Sequence, residues 1–139
     1  MGDQVHGISR YRSANAYRSE AAIEEALDLM RDATGSHQHR EDADFAFHLA
    51  ITRAANNHYF EASMRALRDH IYVGMKLHGQ SLMTDGSKAL EAVLDEHTAI
   101  FHAIRDGACD TAEGLMRGHL EHSRARLFGG GLLNLTMQD

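Results

Sequence analysis

Four residues of types that bind metal ions occur at a spacing that would bring their side chains together. Asp44 and His48 are four apart in DADFAFHLAI and so share one face of a helix. His97 in DEHTAIFHAI and His119 in MRGHLEHS each fall on the apolar stripe of another predicted helix. Polar groups are costly to bury unpaired, and three imidazoles with one carboxylate suit a divalent metal. The spacing predicts a metal site inside a helical bundle.

Each of these residues also has an ordinary explanation. A single histidine on an apolar stripe is more often a core side chain hydrogen-bonded to a neighbour, and Asp44 with His48 alone could form a surface i,i+4 pair. The combination favours a metal, because helical bundles build metal sites from side chains on several facing helices. Further histidines lie near the same helices, and spacing leaves exchanges among them open: His70, His78, His102 and His122. His37 and His39 are expected to be solvated.

Long periodic segments that contain no proline must position these ligands. We expect Phe60, Met64, Leu67, Ile71 and Met75 to form the apolar stripe of the third helix. Asp110 and Glu113 predict a capping box for the fifth. The pattern predicts an all-α antiparallel bundle with these elements: a disordered or linker segment 1–13, helices over 14–32, 40–55, 59–77 and 87–105, a loop over 78–87, a fifth helix to 127 or 128, and a flexible tail 129–139.

Composition limits the class of protein. The 139 residues, 43% of them hydrophobic, suit one domain with a real core at 14–128, and the single Cys109 excludes an internal disulfide framework. Fourteen basic against 20 acidic residues give a net charge of −6, which argues against direct nucleic-acid binding. The chain has neither an apolar run long enough to span a membrane nor a signal core, so a soluble cytoplasmic protein without membrane contact is expected.

Two segments resemble a known family. DADFAFHLAITRAANNHYF is similar to the D-x-x-F-H…N signature of the FCD domain, with Asp44, Phe47 and His48 in place and Asn57 at the signature asparagine. EHTAIFHAIRDGACDTAEGLMRGHL is similar to the second signature, an E-H-x-x-I-x-x-A-I segment followed by a glycine break and a helix with a His-Leu pair. The resemblance extends from about Ala21 to Leu127. Without it, Asn57 would be interpreted as a helix C-cap.

The resemblance implies a sensing function. FCD domains are the all-helical effector-binding halves of FadR-subfamily GntR-type transcriptional regulators, and they typically hold a divalent metal with one aspartate and three histidines. Residue by residue, those ligands fall on the same four positions: Asp44, His48, His97 and His119. The implied effector is a small organic acid on or beside the metal. Zinc or nickel suits three imidazoles best, with manganese as a further candidate.

The expected partners follow from the same resemblance. An arginine such as Arg53, Arg65 or Arg68 is a candidate second anchor for the acid, together with Asn57. The winged-helix DNA-binding domain of such regulators has no counterpart before Ala14, so DNA contact is expected only through a domain outside this chain. A homodimer is also expected.

Two other classes of function compete with a sensor. A metal with open coordination positions can activate water, so a metal-dependent hydrolase is one alternative. No extra general base is evident, because Glu96 should point away from the core face of its helix. A bundle that mediates dimerisation without a ligand is the other alternative. The sequence favours a sensor that is not an enzyme.

Overall fold

The computed structural model describes the backbone of residues 3–129 and the side chains of 19–128, and the regular structure of that part is entirely helical. This confirms the predicted all-α bundle. No helix among the described residues is both long and apolar enough to cross a membrane. The order along the chain is α1 (Asp3–Gly35), α2 (Glu41–Ala54), α3 (His58–Ala66), α4 (Arg68–Thr84), α5 (Ser87–Arg105) and α6 (Cys109–Gly129).

Most predicted helix ends agree with the structure, with two differences at helix starts. α5 has the predicted bounds, and Gly107 at φ 71 ends its C-terminal turn as expected. α1 begins at Asp3, so residues 3–13 are helical where the sequence suggested a disordered or linker segment. α6 begins at Cys109, which places Asp110 in the first turn and not at the N-cap of a capping box. Residues 130–139 of the predicted tail lie outside the described residues.

The predicted third helix and the loop after it were wrong. The helical run is divided at Leu67 into α3 and α4, and Phe60 and Leu67 of the expected stripe are 63% and 52% exposed. α4 continues through most of the predicted loop to Thr84, and the chain turns at Gly86 with φ 96. The polar composition of this segment suggested a loop, but Leu82 is fully buried and anchors the last turns of α4 against α5.

The core brings α1, α2 and α5 together. Its fully buried centre includes Ile23 and Leu27 of α1, Phe47 of α2 and Ile100 of α5. The ring of Phe47 lies 4.8 Å from the ring of His97, centroid to centroid. The apolar core therefore holds α2 and α5 face to face at the level of the predicted metal ligands, while α4 and α6 pack beside them.

Candidate metal centre

The four predicted ligands come together at one place in the bundle. Asp44 and His48 lie one turn apart on α2, His97 lies in the middle of α5, and His119 lies on α6. Asp44, His97 and His119 are buried, at 5%, 1% and 4% exposure, and His48 is half-buried. Three helices thus each contribute to one polar cluster within an otherwise apolar interior.

The ligand atoms face one another at short distances. Oδ1 of Asp44 lies 3.2 Å from Nε2 of His48 and 3.5 Å from Nε2 of His97. Nε2 of His97 lies 3.1 Å from Nε2 of His119. One nitrogen from each of the three histidines lies within 4.8 Å of the others. The side chains converge through the atoms that a metal would use.

These distances fit a metal polyhedron. With metal–ligand bonds of about 2.0–2.2 Å, neighbouring ligand atoms lie about 2.8–3.6 Å apart in octahedral or tetrahedral geometry. The three separations above fall in this range. Oδ1 of Asp44 is buried and, despite its neighbours, forms no hydrogen bond of adequate geometry. A buried oxygen without a hydrogen bond, facing two imidazole nitrogens, is what a coordinating carboxylate requires.

The protonation states also suit a metal. Burial opposes ionisation of Asp44, but the hydrogen bond from His39 and the adjacent His48 ring hold the pKa of this carboxyl well below its usual range. Burial lowers the pKa of His97 to about 3, and burial followed by the nearby His48 lowers the pKa of His119. At neutral pH, Asp44 is therefore a carboxylate and the buried His97 and His119 are neutral imidazoles, which are the forms that coordinate.

Glu96 belongs to the centre, contrary to the expectation that it points away from the core. Its Oε1 lies 3.2 Å from Nδ1 of His119, and Arg126 donates to both of its oxygens at 3.2 and 2.9 Å. Burial opposes ionisation, but the hydrogen bonds from Arg126 and His119 keep the pKa of Glu96 below its usual value. A carboxylate only accepts, so Nδ1 of His119 donates and its Nε2 keeps the lone pair for a metal.

His39 is a second residue that sequence reasoning missed. It was expected to be solvated, but its side chain is only 7% exposed and its Nε2 donates to Oδ2 of Asp44 at 3.1 Å. His39 lies in the short link between α1 and α2, and Asp44 follows in the first turn of α2. The only signal in the sequence was its position five residues before Asp44. Helical periodicity does not relate the two residues, because His39 precedes the helix that carries Asp44.

The four further histidines that spacing left open do not join the four-residue cluster. His70, His102 and His122 are exposed, and His122 reaches only Glu96, at 3.4 Å. His78 is buried beside His39, with ring centroids 6.4 Å apart and with Nε2 lacking a hydrogen-bonding partner. Burial lowers the pKa of His78. None of these four histidines therefore takes the place of a predicted ligand in the cluster.

The predicted effector anchors lie away from this cluster. Arg53 and Arg65 are exposed and both bind Glu61, at 2.8 and 3.2 Å. Arg68 lies over the ring of Tyr72, 5.3 Å from its centroid. Arg65 and Arg68 line an open groove of about 450 Å³ that shares no residue with the histidine cluster.

Asn57 has a local structural role. It is the N-cap of α3, where its side chain accepts from the amide of Phe60 at 3.1 Å, and it is not the C-cap of α2. The cap satisfies one of the free amides at the start of a helix that has no buried residue of its own. Its position at the end of the signature is thus explained by the turn between α2 and α3.

Space beside the cluster is small. A cavity of about 10 Å³ is lined by His39 and His97 together with apolar side chains such as Met30 and Leu90. Such a volume holds about one water-sized group. Among the four predicted ligands, His48 is the most exposed, so solvent approaches the cluster along this side chain.

The chain is similar to known proteins over most of its length. The HTH-type transcriptional regulator LutR of Bacillus subtilis (strain 168) is 28% identical to this chain over 115 residues. The match covers 81% of this chain but only 52% of LutR, so the chain spans about half the length of that relative. The family model of the FCD domain matches residues 12–122, which include all four converging side chains. Because that match covers most of the sequence, this chain belongs to the FCD domain family.

Proposed function

We propose that this chain is a metal-dependent sensing domain for small organic acids, and that it works within a GntR-type transcriptional regulator of the FadR subfamily. The observation that supports the proposal is the cluster of Asp44, His48, His97 and His119, with neighbouring ligand atoms 3.1 to 3.5 Å apart. These residues would hold one divalent ion, zinc or nickel first and manganese as a further candidate.

The charge of the loaded site would favour an anion. One carboxylate and three neutral imidazoles carry a charge of −1, so a divalent cation would leave the centre with a net charge of about +1. A bound metal would supply a Lewis-acidic position for a carboxylate or hydroxy-carboxylate oxygen. The core side chains packed around the cluster are apolar, and they offer an acid no attraction of similar strength.

Access to the site connects binding with a change of shape. The cavity of about 10 Å³ beside His39 and His97 is too small for an organic acid. An effector would therefore enter on the His48 side and move the ligand helices apart. A ligand shifts a conformational equilibrium only by its difference in affinity for the two states, and metal-bound acid would provide that difference. Asn57, Arg53, Arg65 and Arg68 remain candidates for effector contact only if such a movement brings them to the site.

The family gives the remaining context. FCD domains are regulatory and not enzymatic, so the chain is not an enzyme and the hydrolase alternative falls away. LutR is named an HTH-type regulator, and the segment that matches this chain covers about half of its length. We propose that DNA is contacted through a separate winged-helix domain and that the regulator is a cytoplasmic homodimer. The ligand-free dimerisation bundle is the competing function, and metal content distinguishes it.

The first test is the metal content of untagged protein, measured by elemental analysis together with mass spectrometry of any acid that co-purifies. About one divalent ion per chain is expected. Removal of the His97 imidazole in His97→Ala should lower occupancy sharply, whereas His102→Ala, an exposed position on the same helix, should not. Wild-type protein that binds no divalent ion after reconstitution would favour the dimerisation bundle.

The second test is calorimetry with lactate, citrate, gluconate and dicarboxylates on metal-loaded and metal-stripped protein. At least one acid is expected to bind, and only to the loaded form. Acid binding that survives complete metal removal with the fold intact would show that the acid site lies elsewhere.

A further inference from the structure

We propose that His39 is a positioning residue for the metal centre and that Gly79 of α4 holds it in place, so that the packing of α4 sets the metal affinity. The inference rests on the proposed metal site. His39 Nε2 donates to Oδ2 of Asp44 at 3.1 Å, and Oδ1 of the same carboxylate is the oxygen that faces His48 and His97. The hydrogen bond therefore fixes the rotation of the carboxylate and leaves Oδ1 free for a metal.

Gly79 is in direct contact with the His39 ring. A β-carbon at position 79 would overlap Nδ1 of His39 and lie 2.8 Å from its Cγ, inside van der Waals contact. Both residues are largely removed from solvent. The absence of a side chain at Gly79 is what lets the imidazole pack against α4 while its Nε2 points at Asp44.

The contact with α4 also selects the useful tautomer of His39. Nδ1 is buried against Gly79 without a hydrogen-bonding partner, and a buried donor without an acceptor is costly. The proton therefore belongs on Nε2, where the carboxylate of Asp44 accepts it. The α4 surface and the carboxylate together define one orientation and one tautomer of the ring.

The link that carries His39 is attached to α4 at a second point. Nε2 of His37 lies 3.2 Å from the carbonyl oxygen of Met83 in the last turn of α4. The link between α1 and α2 thus contacts α4 at two points. One of them, the contact of His39 with Gly79, involves the residue that binds the proposed metal ligand Asp44. A displacement of α4 would move His39 and release the carboxylate of Asp44, so metal affinity and the position of α4 are coupled.

Zinc affinity, measured by competition with a chromophoric chelator, tests the proposal together with the visible spectrum of the Co²⁺-loaded protein. His39→Ala should weaken zinc binding by about 10–100-fold, the usual effect of losing a hydrogen bond to a metal ligand, and should change the Co²⁺ bands. His39→Gln, which can place an amide donor near the position of Nε2, should restore most of the affinity. A purely structural role would not distinguish these two variants.

Gly79→Ala should weaken zinc binding in the same way because the new methyl group displaces His39. Gly74→Ala is the matched control: it lies on the same helix, gains the same helix propensity and meets nothing within 4 Å. Circular dichroism and melting of the metal-free forms check that each variant is folded. If wild type binds zinc and His39→Ala or Gly79→Ala binds equally well, this inference is overturned while the metal site stands. If the wild-type protein binds no zinc, the proposed metal-dependent function is itself refuted.

Discussion

Lowering the pH from 7 to 5 should destabilise the metal-free protein, and His97 should account for a defined part of the loss. Burial lowers the pKa of His97 to about 3 in the folded protein, against 6.5 for an exposed imidazole. In the unfolded chain this side chain takes up a proton as the pH falls below 6.5, whereas in the folded protein it stays neutral. Protons bound only by the unfolded state favour unfolding, so stability present above pH 6.5 is lost progressively toward pH 3.

The size of the effect follows from the two pKa values. At pH 5 the unfolded imidazole is almost fully protonated and the folded one is almost fully neutral. Integrating the proton difference from pH 7 to pH 5 gives a loss of about 2 kcal/mol of unfolding free energy for this one residue. Burial lowers the pKa of His119 as well, so its contribution has the same sign.

Urea denaturation of chelator-treated protein at pH 7 and at pH 5 measures the loss. The informative quantity is the difference between wild type and His97→Leu, because other titrating groups largely cancel in that comparison. The variant should lose roughly 2 kcal/mol less than wild type over this interval, and His102→Gln, at an exposed site on the same helix, should behave as wild type. Equal pH dependence in wild type and His97→Leu would refute a neutral buried imidazole at this position.

Three further outcomes are expected. His119→Ala should reduce bound metal well below one ion per chain, and unchanged occupancy by elemental analysis would exclude this residue as a ligand. Glu96→Gln should weaken zinc affinity by about 10–100-fold because the charged acceptor that orients His119 is lost; equal affinity in a chelator competition would contradict that role. An organic acid at about one hundred times its Kd should add roughly 2.7 kcal/mol to the stability of the metal-loaded protein and nothing to the stripped form, and a thermal shift in both forms would contradict binding at the metal.

The sequence determined the helical architecture and the four converging side chains. Helical periodicity is a local property, so the apolar stripes gave the bounds of α2 to within one residue and those of α5 as found. The same periodicity placed Asp44 and His48 on one face and turned His97 and His119 inward. Inward polar residues on several helices can only meet in the common core, so their convergence followed from the pattern.

Tertiary packing decided what local pattern could not. The segment 78–84 has the composition of a loop, but burial of Leu82 against α5 makes it the end of α4. Glu96 and Arg126 are 30 residues apart and meet only because α5 and α6 pack side by side. His39 lies outside any helix and has no periodicity to reveal its direction, and it meets Asp44 while packed against Gly79 of α4. Contacts between elements depend on how the helices are arranged in space, and that arrangement is a property of the whole core rather than of any one segment.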